Sequence, residues 1–155
     1  MNGRGLILDT NLLLLLVVGT ASKKYISRHK RLRAYSEMDF DLLIRIISDA
    51  PAILVTPNTL TETSNLIGHI DEQARTKIFM VFCDFIRSAD EHYCESRQAI
   101  ARKEFVRLGL TNSVLLHEAT DSFILLTADL KLYLAAAKEG YLVQNFNHLR
   151  EIAYL

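Results

Sequence analysis

Residues 6–18 read LILDTNLLLLLVV: a short apolar run, then Asp9, Thr10 and Asn11, then a second and longer apolar run. The first run is typical of a buried strand. The second predicts the start of a buried helix, with Thr10 or Asn11 as its N-cap. A buried strand that leads directly into a buried helix is typical of a parallel sheet covered by helices.

The same alternation continues along the chain. Three further strands are predicted at residues 52–55, 123–126 and 141–143, the last with a variant that extends to 146. Helices are predicted at residues 37–48, 59–67, 72–88, 91–108, 114–119 and 130–138. Short apolar strands that alternate with helices predict an α/β fold in which helices cover both faces of a parallel sheet.

Composition limits the classes of protein that the chain can belong to. Its 155 residues predict a single domain over 1–155, and its 18 basic and 18 acidic residues exclude a uniformly basic nucleic-acid binder. Cys83 and Cys94 form no CxxC pair and the five histidines are scattered, so neither a disulfide framework nor a zinc finger is predicted. The longest apolar run, residues 12–18, is shorter than the roughly 20 residues of a membrane span, and we expect a cytoplasmic protein.

Acidic residues follow three of the predicted strands or their loops. Asp9 comes after the first strand, Glu62 lies one turn into the helix after the second, and Asp129 comes after the third. Because functional crevices of parallel sheets lie beyond the carboxyl ends of the strands, we expect these carboxylates at one rim. Carboxylates that lie close together repel one another, and a bound divalent cation such as Mg²⁺ or Mn²⁺ usually neutralises them. The alternative reading is structural, with Asp9 in a turn or cap, Asp129 as an N-cap and Glu62 in solvent.

Five stretches of the chain match, in order and spacing, the motifs of a known family. They are LILDTN (6–11), TPNTLTETSNLI (56–67), LGLTNSVLL (108–116), LLTADLKLYLAAAKEG (125–140) and VQNF (143–146). Together they resemble the PIN-domain nucleases, which include many toxin ribonucleases. The resemblance implies a three-layer α/β/α sandwich with a central parallel sheet of four or five strands, Mg²⁺ or Mn²⁺ as cofactor and RNA as substrate. It also implies frequent homodimerisation and, for the toxins, a protein antitoxin.

The resemblance also assigns roles to individual residues. Asp9 and Asp129 match acidic positions that ligate metal directly, and Glu62 matches a second-site ligand or water-orienting base. The family's polar helpers beside the metal match Asn11 and Thr127.

The family's remaining acidic position follows LGLT and is Asn112 in this chain. A carboxylate offers a negative charge and two oxygens, whereas a carboxamide offers one neutral oxygen. Asparagine at this position is therefore expected to lower the affinity for a hard cation, by on the order of several kcal/mol. Three explanations stay open. The site works with three acids and the amide or a water, the domain only binds, or Asn112 is an introduced substitution that silences the enzyme.

A basic segment separates Asp9 from the next acidic residue, Glu37. It contains Lys23, Lys24, Arg28, Lys30, Arg31 and Arg33, with Tyr25, His29 and Tyr35 interleaved. Lysine and arginine position phosphates and tyrosine stacks on unpaired bases, so contact with an RNA backbone is one prediction. The alternatives are a solvated surface or a docking site for an acidic partner.

Three functions follow from these patterns. The first is a Mg²⁺/Mn²⁺-dependent endoribonuclease, of the kind found as toxins of toxin–antitoxin pairs. The second is a catalytically degenerate or inactivated module that binds RNA or a protein partner, which Asn112 favours. The third is a phosphatase resembling the haloacid dehalogenases, with Asp9 as nucleophile, although their Asp-x-Asp motif is Asp9-Thr10-Asn11 here.

Overall fold

The computed structural model describes residues 3–119 and 122–155. Within these ranges the strands are Gly5–Leu8 (β1), Ile53–Val55 (β2), Asp90–Glu91 (β3), Phe123–Thr127 (β4) and Val143–Asn145 (β5). The helices are Thr10–Ala21 (α1), Lys24–Arg28 (α2), Glu37–Ser48 (α3), Pro57–Ile67 (α4), Glu72–Ser88 (α5), Ser96–Ile100 (α6), Phe105–Leu108 (α7), Leu110–Glu118 (α8), Leu130–Lys138 (α9) and Phe146–Ala153 (α10). None of the described helices is both long and apolar enough to cross a membrane.

All five strands join one sheet in the order β3-β2-β1-β4-β5, and every neighbouring pair is parallel. Successive side chains of a strand point to opposite faces, and β1 shows this directly. Leu6 and Leu8 belong to one core with residues of α1, α3, α4, α5 and α10, whereas Ile7 belongs to a second core with residues of α8 and α9. The predicted three-layer α/β/α sandwich with a parallel sheet is confirmed.

The strand order reverses between β1 and β4. The chain runs from β1 outward through β2 to β3, then returns to the other side of β1 for β4 and β5. In open parallel sheets this switch point leaves a crevice at the carboxyl ends of the two strands. Asp9 immediately follows β1, and Asp129 lies two residues after the end of β4.

The helix predicted at residues 91–108 is wrong. Asp90–Glu91 forms an edge strand of two exposed acidic residues, and the backbone N–H of His92 donates to the carbonyl of Val55. The short helices α6 and α7 follow. Pairing with β2 therefore overrides the helix propensity of this stretch, because it satisfies backbone groups at the edge of β2.

Two predicted helix starts also need correction. Asp9, and not Thr10 or Asn11, is the N-cap of α1. Helix α8 begins at Leu110 rather than at 114, because Gly109 adopts a φ of +82° that favours glycine and both ends α7 and starts α8. Thr111, Asn112 and Ser113 therefore lie within the first turns of α8 and not before it.

Candidate active site

Asp9 is held by three hydrogen bonds at the end of β1. Its Oδ1 accepts the backbone N–H of Leu12 at 2.9 Å, which caps α1. Its Oδ2 accepts the hydroxyl of Thr127 at 2.5 Å and the backbone N–H of Ala128 at 2.9 Å. The residue is only 3% exposed. The carboxylate is thus fixed in orientation by groups from α1 and from the end of β4.

Asp129 faces the same crevice from the end of β4. Its Oδ1 accepts the backbone N–H of Leu132 at 3.1 Å, so it is the N-cap of α9. Its own backbone N–H donates to the hydroxyl oxygen of Thr127 at 2.9 Å. Thr127 therefore connects the two acidic residues through a single buried hydroxyl. The structural reading of both aspartates as caps is correct, and capping accounts for only part of their geometry.

Asn112 lies close to this pair. From the first turn of α8 its Nδ2 donates to Oδ2 of Asp129 at 3.3 Å. The structure thus brings Asp9 together with Asn112, Thr127 and Asp129, which come more than 100 positions later in the chain.

The charges of the aspartates are not balanced by basic residues. Burial raises the pKa of Asp9, hydrogen bonds from Thr127, Leu12 and Ala128 oppose that effect, and the nearby charge of Asp129 raises the pKa further. Among the described residues, no lysine, arginine or histidine nitrogen lies within 4.0 Å of the carboxylates of Asp9 or Asp129. Two carboxylates therefore share the crevice without a cation from the protein.

Glu62 lies beside this group but not within it. It is exposed on α4 and accepts a hydrogen bond from the hydroxyl of Thr111. Among the described residues, Glu62, Asp9 and Asp129 do not form a group whose ligand atoms all lie within 4.8 Å of one another. Instead it lines a shallow cavity of about 280 Å³ that Thr111 also lines. Partial burial raises the pKa of Glu62.

Sequence reasoning missed several residues around the crevice. Thr111 is the threonine of LGLT, and its contact with Glu62 joins α8 to α4. Asn147 donates to the carbonyl of Ala128 at 3.4 Å and accepts from Arg150 at 2.9 Å, which braces the loop between Thr127 and Asp129 from α10. The VQNF stretch pointed to this region without distinguishing the residue.

Asn11 and Tyr35 differ in their relation to the aspartates. Asn11 is exposed at the start of α1, and within the described residues its side chain makes no hydrogen bond to them. Tyr35 is half-buried, and burial together with the charge of Asp9 raises its pKa to about 12. Tyr35 therefore interacts electrostatically with Asp9.

The aromatic side chains of the basic segment are not free to stack on RNA bases, contrary to the prediction. Tyr25 and His29 are buried, and Tyr35 packs against Phe146 with ring centroids 6.3 Å apart. Base stacking on Tyr25 is therefore excluded in this conformation.

The six basic residues of the segment are all exposed, and they fall into two groups. Lys23 pairs with Asp41 at 2.7 Å, and Arg28 pairs with Asp71. The other four have no acidic partner within 4.0 Å in the described part of the chain: Lys24, Lys30, Arg31 and Arg33. These four keep their charge available to a ligand.

No protein-family model and no curated protein matches this chain. Fixed carboxylate oxygens without a cationic partner fit a hard divalent cation, which prefers oxygen ligands. The amide N–H of Asn112 occupies one side of Asp129 and makes that fit less complete. A nucleophilic role suits Asp9 poorly, because its buried oxygens are already hydrogen-bonded.

Proposed function

We propose that the protein is a Mg²⁺- or Mn²⁺-dependent endoribonuclease of the PIN type that hydrolyses RNA phosphodiester bonds. The observation that carries the proposal is the pair of aspartates at the switch point of the sheet, Asp9 and Asp129, which have no neutralising residue; Thr127 donates to the carboxylate of Asp9 and accepts the backbone N–H of Asp129. Such a pair repels itself unless a cation lies between its members.

Each residue has a distinct task in this proposal. Asp9 and Asp129 would hold the ion, and the Thr127 hydroxyl ties the carboxylate of Asp9 to the backbone of Asp129. A bound divalent ion supplies a water of lowered pKa and positive charge beside the scissile phosphate. Glu62, with a raised pKa and an exposed position, is suited to accept the proton of the attacking water or to bind at a second position.

The basic segment supports RNA as the polymer that is cut. Its four exposed cations without an acidic partner can bind successive phosphates: Lys24, Lys30, Arg31 and Arg33. The segment begins at the far end of α1, about 18 Å from Asp9 by the rise of a helix of this length. Tyr35, which follows it, lies within the influence of the charge of Asp9. A substrate bound along this path would reach from the basic segment to the carboxylates.

The toxin assignment and its partners belong to the same proposal. The antitoxin and the homodimer rest on the sequence resemblance alone. Growth arrest on induced expression, relieved by co-expression of a neighbouring gene product, would support the toxin role. Sedimentation at several concentrations would show whether the chain forms dimers.

A binding module without catalysis is the second candidate. The hydrogen bond from Asn112 to Asp129 favours it, because the amide N–H occupies an oxygen that a cation would need. Rotating the amide by 180° would turn its oxygen toward the crevice, and a cation would stabilise that orientation. The two candidates therefore differ in whether this chain binds a cation tightly enough to cleave RNA.

A cleavage assay on structured RNA separates them. The unmodified chain, Asn112→Asp and Asp129→Asn are compared in Mg²⁺, in Mn²⁺ and in chelator. We expect metal-dependent cleavage by the unmodified chain, faster cleavage by Asn112→Asp because a carboxylate replaces the amide, and none by Asp129→Asn. Cleavage by Asn112→Asp alone would select the binding module, and cleavage that persists in chelator would overturn the metal-dependent mechanism.

Asp71→Asn is the matched control for Asp129→Asn. Asp71 is also an N-cap aspartate, on α5, and its side chain accepts the backbone N–H of Ala74 at 3.1 Å. Asparagine is as good an N-cap as aspartate, so both variants should keep their helix starts. Loss of cleavage in Asp129→Asn but not in Asp71→Asn would separate the site chemistry from capping.

A further inference from the structure

Three metal-ligating residues meet at the end of α8 opposite to Asn112. Cys94 lies in the loop after β3, and His117 and Glu118 occupy the last turn of α8. One ligand atom from each of the three lies within 4.8 Å of the others. No local motif indicates this group, because more than 20 residues separate the cysteine from the other two.

We propose that Cys94, His117 and Glu118 form a zinc site that ties the carboxyl end of α8 to the loop after β3. The site is separate from the carboxylate pair and does not depend on the nuclease proposal. A thiolate, an imidazole and a carboxylate are the three side-chain types that bind Zn²⁺, whereas Mg²⁺ rarely accepts sulfur.

The geometry is close to that of a bound ion. Tetrahedral zinc with ligand bonds of about 2.0–2.3 Å places its ligand atoms roughly 3.5 Å apart. The three atoms, within 4.8 Å of one another, need to approach by about 1.3 Å at most on the same bond lengths. His117 is exposed and can supply much of this movement by side-chain rotation.

A second histidine supports the carboxylate of the group. Nδ1 of His92 lies 3.4 Å from Oε2 of Glu118, and its Nε2 lies 3.5 Å from Oδ2 of Asp90. Ligands of metal sites are commonly oriented by such outer hydrogen bonds. His92 is therefore a positioning residue. With three ligands from the protein, a water would complete the four-coordination of a bound zinc ion.

The electrostatic surroundings also favour a cation here. The last carbonyls of a helix carry partial negative charge, and His117 and Glu118 lie at that end of α8. Cys94 is only 4% exposed, so an ion bound to its sulfur would be largely shielded from water. Zinc would bind the thiolate, and the thiol proton would pass to solvent.

Zinc at this position would act on the fold through α8. The helix carries Thr111 and Asn112 at one end and the proposed ligands at the other. An ion that binds only the folded chain raises its stability. The site would therefore hold α8 in place against the loop after β3.

Metal titration of the purified full chain tests the proposal. The chain is stripped with chelator, kept in excess Mg²⁺ to occupy the oxygen site, and titrated with Zn²⁺ against a chromophoric chelator and with Co²⁺. We expect one tight site per chain, a thiolate-to-Co²⁺ charge-transfer band and a zinc-dependent rise in the unfolding midpoint. Cys94→Ser should abolish the band and the rise, and Cys83→Ser, at the exposed second cysteine, should change neither.

Two further variants keep the test independent of folding. His117→Asn changes an exposed side chain, so the fold is expected to persist while zinc affinity falls by at least about 100-fold. His92→Gln should weaken zinc by about 10- to 100-fold and leave the cobalt band in place, as expected of a positioning residue. Absence of a one-to-one site, or equal zinc affinity in Cys94→Ser, His117→Asn and the unmodified chain, would overturn the proposal.

Discussion

Asp9 and Asp39 are both buried, at 3% and 1% exposure, yet their carboxylates have opposite surroundings. Asp39 accepts two hydrogen bonds from the guanidinium of Arg150, at 2.9 and 3.0 Å, and a third from the hydroxyl of Tyr154. Asp9 accepts only uncharged donors and has another carboxylate, Asp129, in its vicinity.

The pKa values follow these surroundings. Burial alone would raise the pKa of Asp39, but hydrogen bonds from Tyr154, Ser36 and Arg150 hold it below its ordinary value. The pKa of Asp9 is raised. The same fold thus neutralises one buried aspartate with an arginine and leaves the other without a cation. Since a structural carboxylate gains stability from such a partner, the contrast supports the proposal that Asp9 binds a cation.

Removal of the arginine should have the largest effect on stability. Arg150→Met leaves the carboxylate of Asp39 buried without its charged partner. We expect a loss of about 3 kcal/mol in the free energy of unfolding, at the lower end of the range for broken buried pairs because the guanidinium is partly exposed. Urea unfolding measures this loss.

Arg87→Met is the matched control for that variant. Arg87 pairs with Asp84 at 3.0 Å, but both side chains are more than three-quarters exposed. Such pairs contribute about 0–1 kcal/mol. Equal losses in the two variants would show that Arg150 does not have the special role inferred from its contacts.

The pH dependence of the two aspartates should differ in sign. Asp39 stabilises the fold above the ordinary aspartate pKa of 3.8, and this contribution disappears as the pH falls through its lower folded value. Ionised Asp9 opposes folding, and that cost disappears as the pH falls through its raised value. Each unit between folded and unfolded pKa corresponds to about 1.4 kcal/mol.

Carboxyl-carbon NMR titration of the metal-free chain resolves this prediction. The midpoint of Asp9 should lie above 3.8 and that of Asp39 below it. Adding Mg²⁺ should lower the midpoint of Asp9 and leave that of Asp39 unchanged. If Mg²⁺ leaves the titration midpoint of Asp9 unchanged, this would count against a cation at the switch point.

The smallest effect concerns the repulsion between the paired carboxylates. Asp129→Asn removes one charge while it keeps the N-cap of α9, so the pKa of Asp9 should fall. The same titration measures this change, and Asp71→Asn provides the comparison at a distant cap. An unchanged Asp9 midpoint in Asp129→Asn would mean that the two charges do not interact.

Much of the fold was predictable because its signals are local. The apolar runs at β1 and β4 and the helical periodicity of α3 and α5 predicted these elements near their observed bounds. The edge strand Asp90–Glu91 was not predictable, because two acidic residues carry no strand pattern and their structure comes from pairing with β2. Long-range pairing of this kind leaves no mark in the local sequence.

The site was predictable in position and less so in detail. The positions of Asp9 and Asp129 after strands placed them at one rim. The hydrogen bond between Asn112 and Asp129 depends on where α8 packs, which the spacing does not determine. The same holds for Thr111 with Glu62 and for the grouping of Cys94 with His117, since each joins distant parts of the chain.

The short edge strands have a consequence for how copies of the chain can meet. β3 offers two residues, both acidic and exposed, and β5 at the opposite edge offers three. A long, flat and apolar edge would recruit strands of neighbouring molecules, whereas short and charged edges discourage such pairing. Concentrated solutions should therefore resist conversion into intermolecular sheets, and any specific assembly is expected to use the helical faces.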